Sequence, residues 1–173
     1  MNRLSISLVG ALFALALAAC SPDQSDRRPG SPSSSHEQSG LVSTGPLPDN
    51  AYSASITVVK PPQTLHAGEQ ASLDVKVKNL SNVTWPSQGQ GSKYKVDLAN
   101  HWLDNKGEMV TMDDGRAGLP HDLKAGEEAE VLLTVKAPKS PGDYTLELDM
   151  VHEDVLWFSS KGSQTVKINV KVQ

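Results

Sequence analysis

An apolar-polar alternation with a period of two constrains this chain more than any other feature. Leu73, Val75 and Val77 alternate with Ser72, Asp74, Lys76 and Lys78, and Val166, Ile168, Val170 and Val172 alternate with Lys167, Asn169 and Lys171. Successive side chains on a strand point to opposite faces, so each run is a strand with one side in a core and the other toward water. The same reading predicts strands near 54–60, 93–103, 108–112, 129–137 and 143–152. Turn chemistry separates them. Asp104-Asn105-Lys106-Gly107 reads as a hairpin loop, Lys124-Ala125-Gly126-Glu127 as a turn, and 137–143 as a longer connection with Pro138, Pro141 and Gly142. Nothing reads as a long amphipathic helix. The pattern therefore predicts an all-β fold, a single immunoglobulin-like antiparallel two-sheet sandwich of about 7–8 strands over residues 52–173.

Alternation also assigns faces. Tyr94, Val96, Leu98 and Trp102 share one parity and Lys93, Lys95, Asp97 and His101 the other, which places Trp102 in the core. Likewise Tyr144, Leu146, Leu148 and Met150 point one way, and Thr145, Glu147, Asp149 and Val151 the other. The polar parity is expected to be a solvated face with cross-strand charge pairs, each contributing under about 1 kcal/mol.

The start of the chain has a different character. Arg3 supplies a short positive region, and Leu4 to Ala19 form a charge-free run that ends in Leu17-Ala18-Ala19-Cys20. This is the layout of a secretion signal over residues 1–19, shorter in its apolar part than the ~20 residues a membrane-spanning helix needs. Cys20 is the single cysteine of the chain, so no internal disulfide can form. The segment resembles the lipobox of bacterial lipoproteins. That resemblance implies that the Cys20 sulfur carries a diacylglycerol and its amino group an acyl chain, anchoring the protein to a membrane. Ser21 after the cysteine, where an inner-membrane sorting pattern has aspartate, implies the outer membrane, with the domain in the periplasm or at the cell surface. Residues 20–51 are rich in Ser, Pro, Gly, Asp and Gln, and are expected to form a disordered tether. Such a tether spans roughly 30 Å on average and about 100 Å pulled straight. Any packing of the tether on the domain is expected at Leu41-Val42.

The chain carries 16 basic and 20 acidic residues, a formal charge of −4, and loss of residues 1–19 removes only Arg3, giving −5. No basic patch is present, so nucleic acid is not an expected partner. Gly-x-Ser-x-Gly, phosphate-cradling glycine loops and His-Glu-x-x-His are all missing from the sequence, and the acid pairs Asp113-Asp114 and Glu153-Asp154 are adjacent on the chain. Neighbours on an extended strand point apart, so these read as loop turns and no enzyme is expected. No cofactor is expected. His101, His121 and His152 with Met109, Met112 and Met150 offer copper-type ligands, although their spacing is not diagnostic.

A further resemblance runs through the domain. Residues 79–86 (Asn-Leu-Ser-Asn-Val-Thr-Trp-Pro), 98–107 (Leu-Ala-Asn-His-Trp-Leu-Asp-Asn-Lys-Gly) and 119–127 (Leu-Pro-His-Asp-Leu-Lys-Ala-Gly-Glu) follow one another in order. Residues 137–144 and the block Val151-His152-Glu153-Asp154-Val155-Leu156-Trp157-Phe158 complete the series. These blocks are similar to the β-sandwich accessory domains of bacterial glycosyltransferases, methyltransferases and polysaccharide-export proteins, including the O-antigen-binding domain of certain ABC transporters. No catalytic or transporter partner domain is expected within these 173 residues. The resemblance implies a glycan binder, a spacer or a protein-docking module. Sugars stack their C–H faces on aromatic rings and hydrogen-bond to polar side chains, which makes Trp157, His152, Glu153, Asp154, Asp114 and Arg116 the candidate ligand-binding residues. The expected partners are the membrane, through Cys20, and an envelope polysaccharide or an envelope protein. Large aromatics also plug the ends of sandwiches, and that structural role is the alternative expectation for both Trp85 and Trp157.

Overall fold

The computed structural model describes residues 42–173. The expected signal segment 1–19, the lipidation candidate Cys20 and residues 20–41 of the expected tether lie outside the described residues.

Ten strands run in chain order: β1 Ala54–Val58, β2 Thr64–Leu65, β3 Gln70–Asn79, β4 Val96–Leu103, β5 Met109–Thr111, β6 Arg116–Gly118, β7 Glu128–Lys136, β8 Gly142–His152, β9 Leu156–Trp157 and β10 Val166–Val172. They form two sheets. One has the order β1-β3-β7, and the other the order β2-β10-β8-β4-β5, with β6 paired to β4 and β9 to β8. Every named pairing is antiparallel except the short β2–β10 contact. The two-sheet all-β fold agrees with the alternation in the sequence, and the seven longer strands lie where it predicts them. The three strands that alternation does not reveal, β2, β6 and β9, are two or three residues long, too short to carry a period.

The core lies between the sheets. Leu73, Val75 and Val77 of β3 and Val131, Leu133 and Val135 of β7 pack with Leu98 and Trp102 of β4 and Leu146, Leu148 and Met150 of β8. Each such side chain contributes about 1.5–3 kcal/mol when fully buried. Trp85, fully buried, closes one end of the core edge-to-face on Phe158 at 5.1 Å.

Two sequence expectations need correction. Residues 42–51 were assigned to the tether, yet they pack on the sandwich. The Ser43 amide donates to the Gln88 carbonyl, Leu47 rests against the core, and Ala51 is fully buried with its carbonyl accepting from Trp85 Nε1 at 2.7 Å. The polar parity of β4 and β8 was expected to be solvated. Instead all eight residues of β4 are buried, and Asp97, His101 and Asp149 are each under a tenth exposed. The parity is right and the solvation is not at these three residues, because tertiary neighbours cover them, while Lys167, Asn169 and Lys171 on the same face of β10 are exposed.

The loop before β6 joins the two sheets. Asp114 Oδ2 accepts from Asn100 Nδ2 at 3.2 Å and Trp102 Nε1 at 3.1 Å on β4, and from the Lys136 amide at 2.7 Å on β7. Gly115 follows for a steric reason, since a Cβ there would lie 2.3 Å from the Thr134 carbonyl oxygen.

Candidate ligand-binding site

Strand register defines the outer face of the large sheet. Asp97, Ala99, His101 and Leu103 of β4 stand opposite Val151, Asp149, Glu147 and Thr145 of β8. On one flank β6 sets Arg116 opposite Ala99, and on the other β9 sets Trp157 opposite Val151. Arg116 and Trp157 thus approach the same patch from opposite sides, over the single methyl of Ala99.

Trp157 is partly exposed. Its ring has the His101 imidazole at 4.2 Å, tilted by 54°, and the Arg116 guanidinium over it at 4.8 Å. Arg116 is fixed further by Glu153 Oε1, which accepts from Nε at 2.8 Å, and by both carboxylate oxygens of Asp113, one of them accepting from a terminal nitrogen at 3.0 Å. A guanidinium held by two carboxylates and an indole is pre-organised, because its rotamers are restricted before any ligand arrives. The walls enclose a cleft of about 330 Å³ lined by Met112, Asp113, Arg116, Val151, Asp154 and Trp157.

The carboxyls of the patch are perturbed. Burial raises Glu153, the adjacent Asp97 carboxyl raises it further, and Arg116 opposes both. Burial also raises the Asp149 carboxyl, with the Ser159 hydrogen bond pulling back. Asp97 Oδ2 pairs with Lys95 Nζ at 2.7 Å, while Asp97 Oδ1 and Asp149 Oδ1 have no partner among the described residues. Turn geometry at the rim is unusual too. Tyr94 and Asp154 adopt positive φ, 66° and 60°, and Lys93 Nζ lies 3.8 Å from Asp154. Left-handed backbone at two non-glycine residues beside one cleft is strain of the kind that gathers at ligand clamps.

Of the six candidate ligand residues, five line this cleft, Trp157, Arg116, Glu153, Asp154 and His152, and Asp114 does not. His152 and Asp114 are both engaged by partners within the protein. His152 is fully buried beneath the cleft, with Nε2 3.2 Å from the Tyr94 carbonyl and Nδ1 3.0 Å from Tyr52 Oη. A carbonyl only accepts, so Nε2 carries a proton; the Tyr52 hydroxyl beside Nδ1 also lies 3.2 Å from the Leu47 carbonyl, to which it donates, and so links the ring to the segment before β1. Burial holds the His152 pKa down, partly offset by the bond to Tyr94. Asp114 faces inward to its inter-sheet partners and is structural. The sequence offers the Asp113-Asp114-Gly115-Arg116 loop as a source of a cation and two carboxylates, and of its two acids Asp113 is the one at the cleft; Met112, Asp97 and Asp149 are not legible as parts of this patch, and His101 reads there only as a solvated or metal-binding residue. Shared parity of Asp97 and His101 was the available signal. The cover supplied by the chain after β8 was not legible.

The copper-type residues are not assembled. His101 Nδ1 bonds to the Met112 carbonyl, His121 Nε2 lies 2.8 Å from Glu127 Oε1, His152 is enclosed and Met150 is core. Among the described residues no group of three or more His, Cys, Asp or Glu is placed to hold a metal ion, and no helix is long and apolar enough to cross a membrane.

Neither a family model nor a curated protein matches this chain. Solved structures do. A β-glucosidase from Listeria innocua in complex with glucose is similar over 69% of this chain at 17% identity, with a TM-score of 0.44. The CARDB domain of PF1109 from Pyrococcus furiosus is similar over 69% of this chain and 95% of its own length, at 18% identity and a TM-score of 0.41. A family 123 glycoside hydrolase from Clostridium perfringens is similar at 10% identity and a TM-score of 0.39, over 26% of its length. The chain spans 16% of the length of the β-glucosidase it matches.

Proposed function

We propose that this chain is a non-catalytic binding module of the bacterial cell envelope, anchored through lipid on Cys20, which recognises a polysaccharide at the Trp157 cleft. The observation that supports this most is the partly exposed indole of Trp157 set beside a pre-organised Arg116 and the acids Asp113, Glu153 and Asp154. A sugar ring has apolar C–H faces and a polar rim, and an aromatic edge flanked by fixed donors and acceptors complements both. Catalysis is disfavoured because Asp113 and Glu153 share one guanidinium and Asp154 faces Lys93. Glycoside cleavage needs one carboxyl free to give a proton and another free to attack or activate water.

A second reading, docking of an envelope protein, draws on one observation. Met109, Val110 and Met112, on and beside the short edge strand β5, are 47%, 48% and 60% exposed. Methionine, arginine and aromatic residues are enriched in protein interfaces.

The test is binding of the soluble mature chain to polysaccharides from its own envelope, with Trp157→Ala as the comparison after circular dichroism shows that it is folded. Loss of binding in the folded variant supports glycan recognition at this cleft. Absence of binding to every envelope glycan transfers the function to a protein partner.

A further inference from the structure

The large sheet has a second concavity at the other end of the same face. It has a volume of about 610 Å³, inside the ~300–1,000 Å³ range of ligand sites. Its floor is the continuation of the outer-face register, in which Leu103 stands opposite Thr145 and Thr145 opposite Asn169, with Lys171 opposite Asp143 in the next row. The β4–β5 loop forms one wall through Asp104 and Asn105, and Gln63, beside β2, forms the other.

The lining chemistry favours a neutral polyhydroxylated ligand. Asp104 and Asp143 balance Lys167 and Lys171, so the cleft carries no net charge. Among the described residues, the side chains of Gln63, Asn105, Asp143 and Lys171 have no hydrogen-bond or ion-pair partner. Asn169 engages only its Oδ1, in a 3.5 Å contact from Thr145 Oγ1, which leaves its amide donors open. Side-chain amides with both donor and acceptor unspent match sugar hydroxyls, which also give and accept. An anion would meet two carboxylates here, and an apolar segment would strand the amides.

The two clefts lie on one sheet face, and the β4 segment from Asp97 to Leu103 separates them by about 20 Å. The surface between them is polar. Glu147 accepts from Thr165 Oγ1 at 2.7 Å and lies 3.5 Å from Lys167 Nζ. We infer that the 610 Å³ cleft around Asn169 is a second glycan subsite, and that a single polysaccharide chain lies along the outer face from Trp157 to Gln63. This rests on the glycan reading of the Trp157 cleft. It assigns the ligand class as a neutral chain of several sugars, one able to occupy both subsites at once.

Size-graded fragments made by partial acid hydrolysis of the envelope polysaccharide are titrated against the full chain in detergent by calorimetry. Asn169→Ala and Gln63→Ala are compared with the parent, and both positions are exposed, so neither change removes core packing. Linked subsites predict that fragments long enough to span the face bind at least about 10-fold more tightly than disaccharides. The distal variants remove that gain and leave disaccharide binding at Trp157 unchanged. Amide signals of Asn169 and Gln63 in the NMR spectrum shift with long fragments only. Affinity that is flat with length, or distal variants that bind long fragments like the parent, overturns the second subsite while the Trp157 reading stands. Failure of every fragment to bind overturns both.

Discussion

Trp102 Nε1 donates to Asp114 Oδ2 at 3.1 Å, tying the buried indole of one sheet to a loop that also bonds the edge of the other. Three donors converge on that single oxygen, and hydrogen bonds to a charged acceptor contribute about 1.5–3 kcal/mol each before coupling. Asp114→Ala should therefore lower the unfolding free energy by about 2–4 kcal/mol in urea titrations, by orphaning Trp102 Nε1 and the Lys136 amide. A change within experimental error would show that Asp114 is not an inter-sheet tie.

His152 should make stability depend on pH in the mildly acidic range. Its folded pKa is depressed by burial, so on acidification the unfolded chain takes up the proton first, near the ordinary value of 6.5. Stability from the neutral ring is complete above that value and is lost as pH falls toward the depressed one. The urea midpoint is expected to be lower at about pH 5 than at about pH 7.5, with a smaller difference in His152→Gln. An equal difference in parent and variant would assign the titration elsewhere.

Asp149 should show the opposite sign. Its folded carboxyl is raised by burial, so its contribution to stability is present below the unfolded pKa and is lost as pH rises through the folded one. Asp149→Asn keeps an oxygen for the Ser159 amide and removes the buried charge. Relative to the parent, this variant is expected to gain stability between about pH 3 and about pH 7. A relative stability independent of pH would mean that the carboxyl titrates normally.

The chain between Val42 and Ala51 should stabilise the sandwich. A protein starting at Tyr52 loses the Ala51 carbonyl that accepts from Trp85 Nε1, together with the Leu47 packing, and is expected to unfold about 2 kcal/mol more easily than one starting at Val42. Thermal melts of the two proteins decide this, and equal midpoints would make the segment a passive lead-in.

The limits of the sequence show most clearly on β4 and β8. Parity placed Leu98, Trp102, Leu148 and Met150 inward, and the structure buries all four. His152 shares the parity of Met150, so its burial was legible, but its position in a polar loop sequence suggested a ligand contact instead. Asp97 and Asp149 were read as solvated because alternation reports direction and not cover. Their neighbours are supplied by the chain after β8, Glu153 beside Asp97 and the Ser159 amide on Asp149, in a turn and a short 3-10 helix that leave no periodic signature. Asp114 sits beside Asp113 in the sequence, yet one acid ties the sheets while the other holds Arg116. Nothing local distinguishes them, because the choice is made by β7, which follows them in the chain and pairs with the opposite sheet.

The turn between β8 and β9 is bracketed by buried anchors, Val151 before it and Phe158 after it, while Glu153, Asp154 and Val155 lie at least partly in solvent. The turn residues of the proposed cleft are thereby set apart along the chain from the residues that hold the core. Within the turn, Glu153 is tied through its backbone to Tyr94 and Lys95 and through its side chain to Arg116, which leaves Asp154 and Val155 as the positions where a side chain can be exchanged with least effect on folding, and so as the natural place to graft a new specificity.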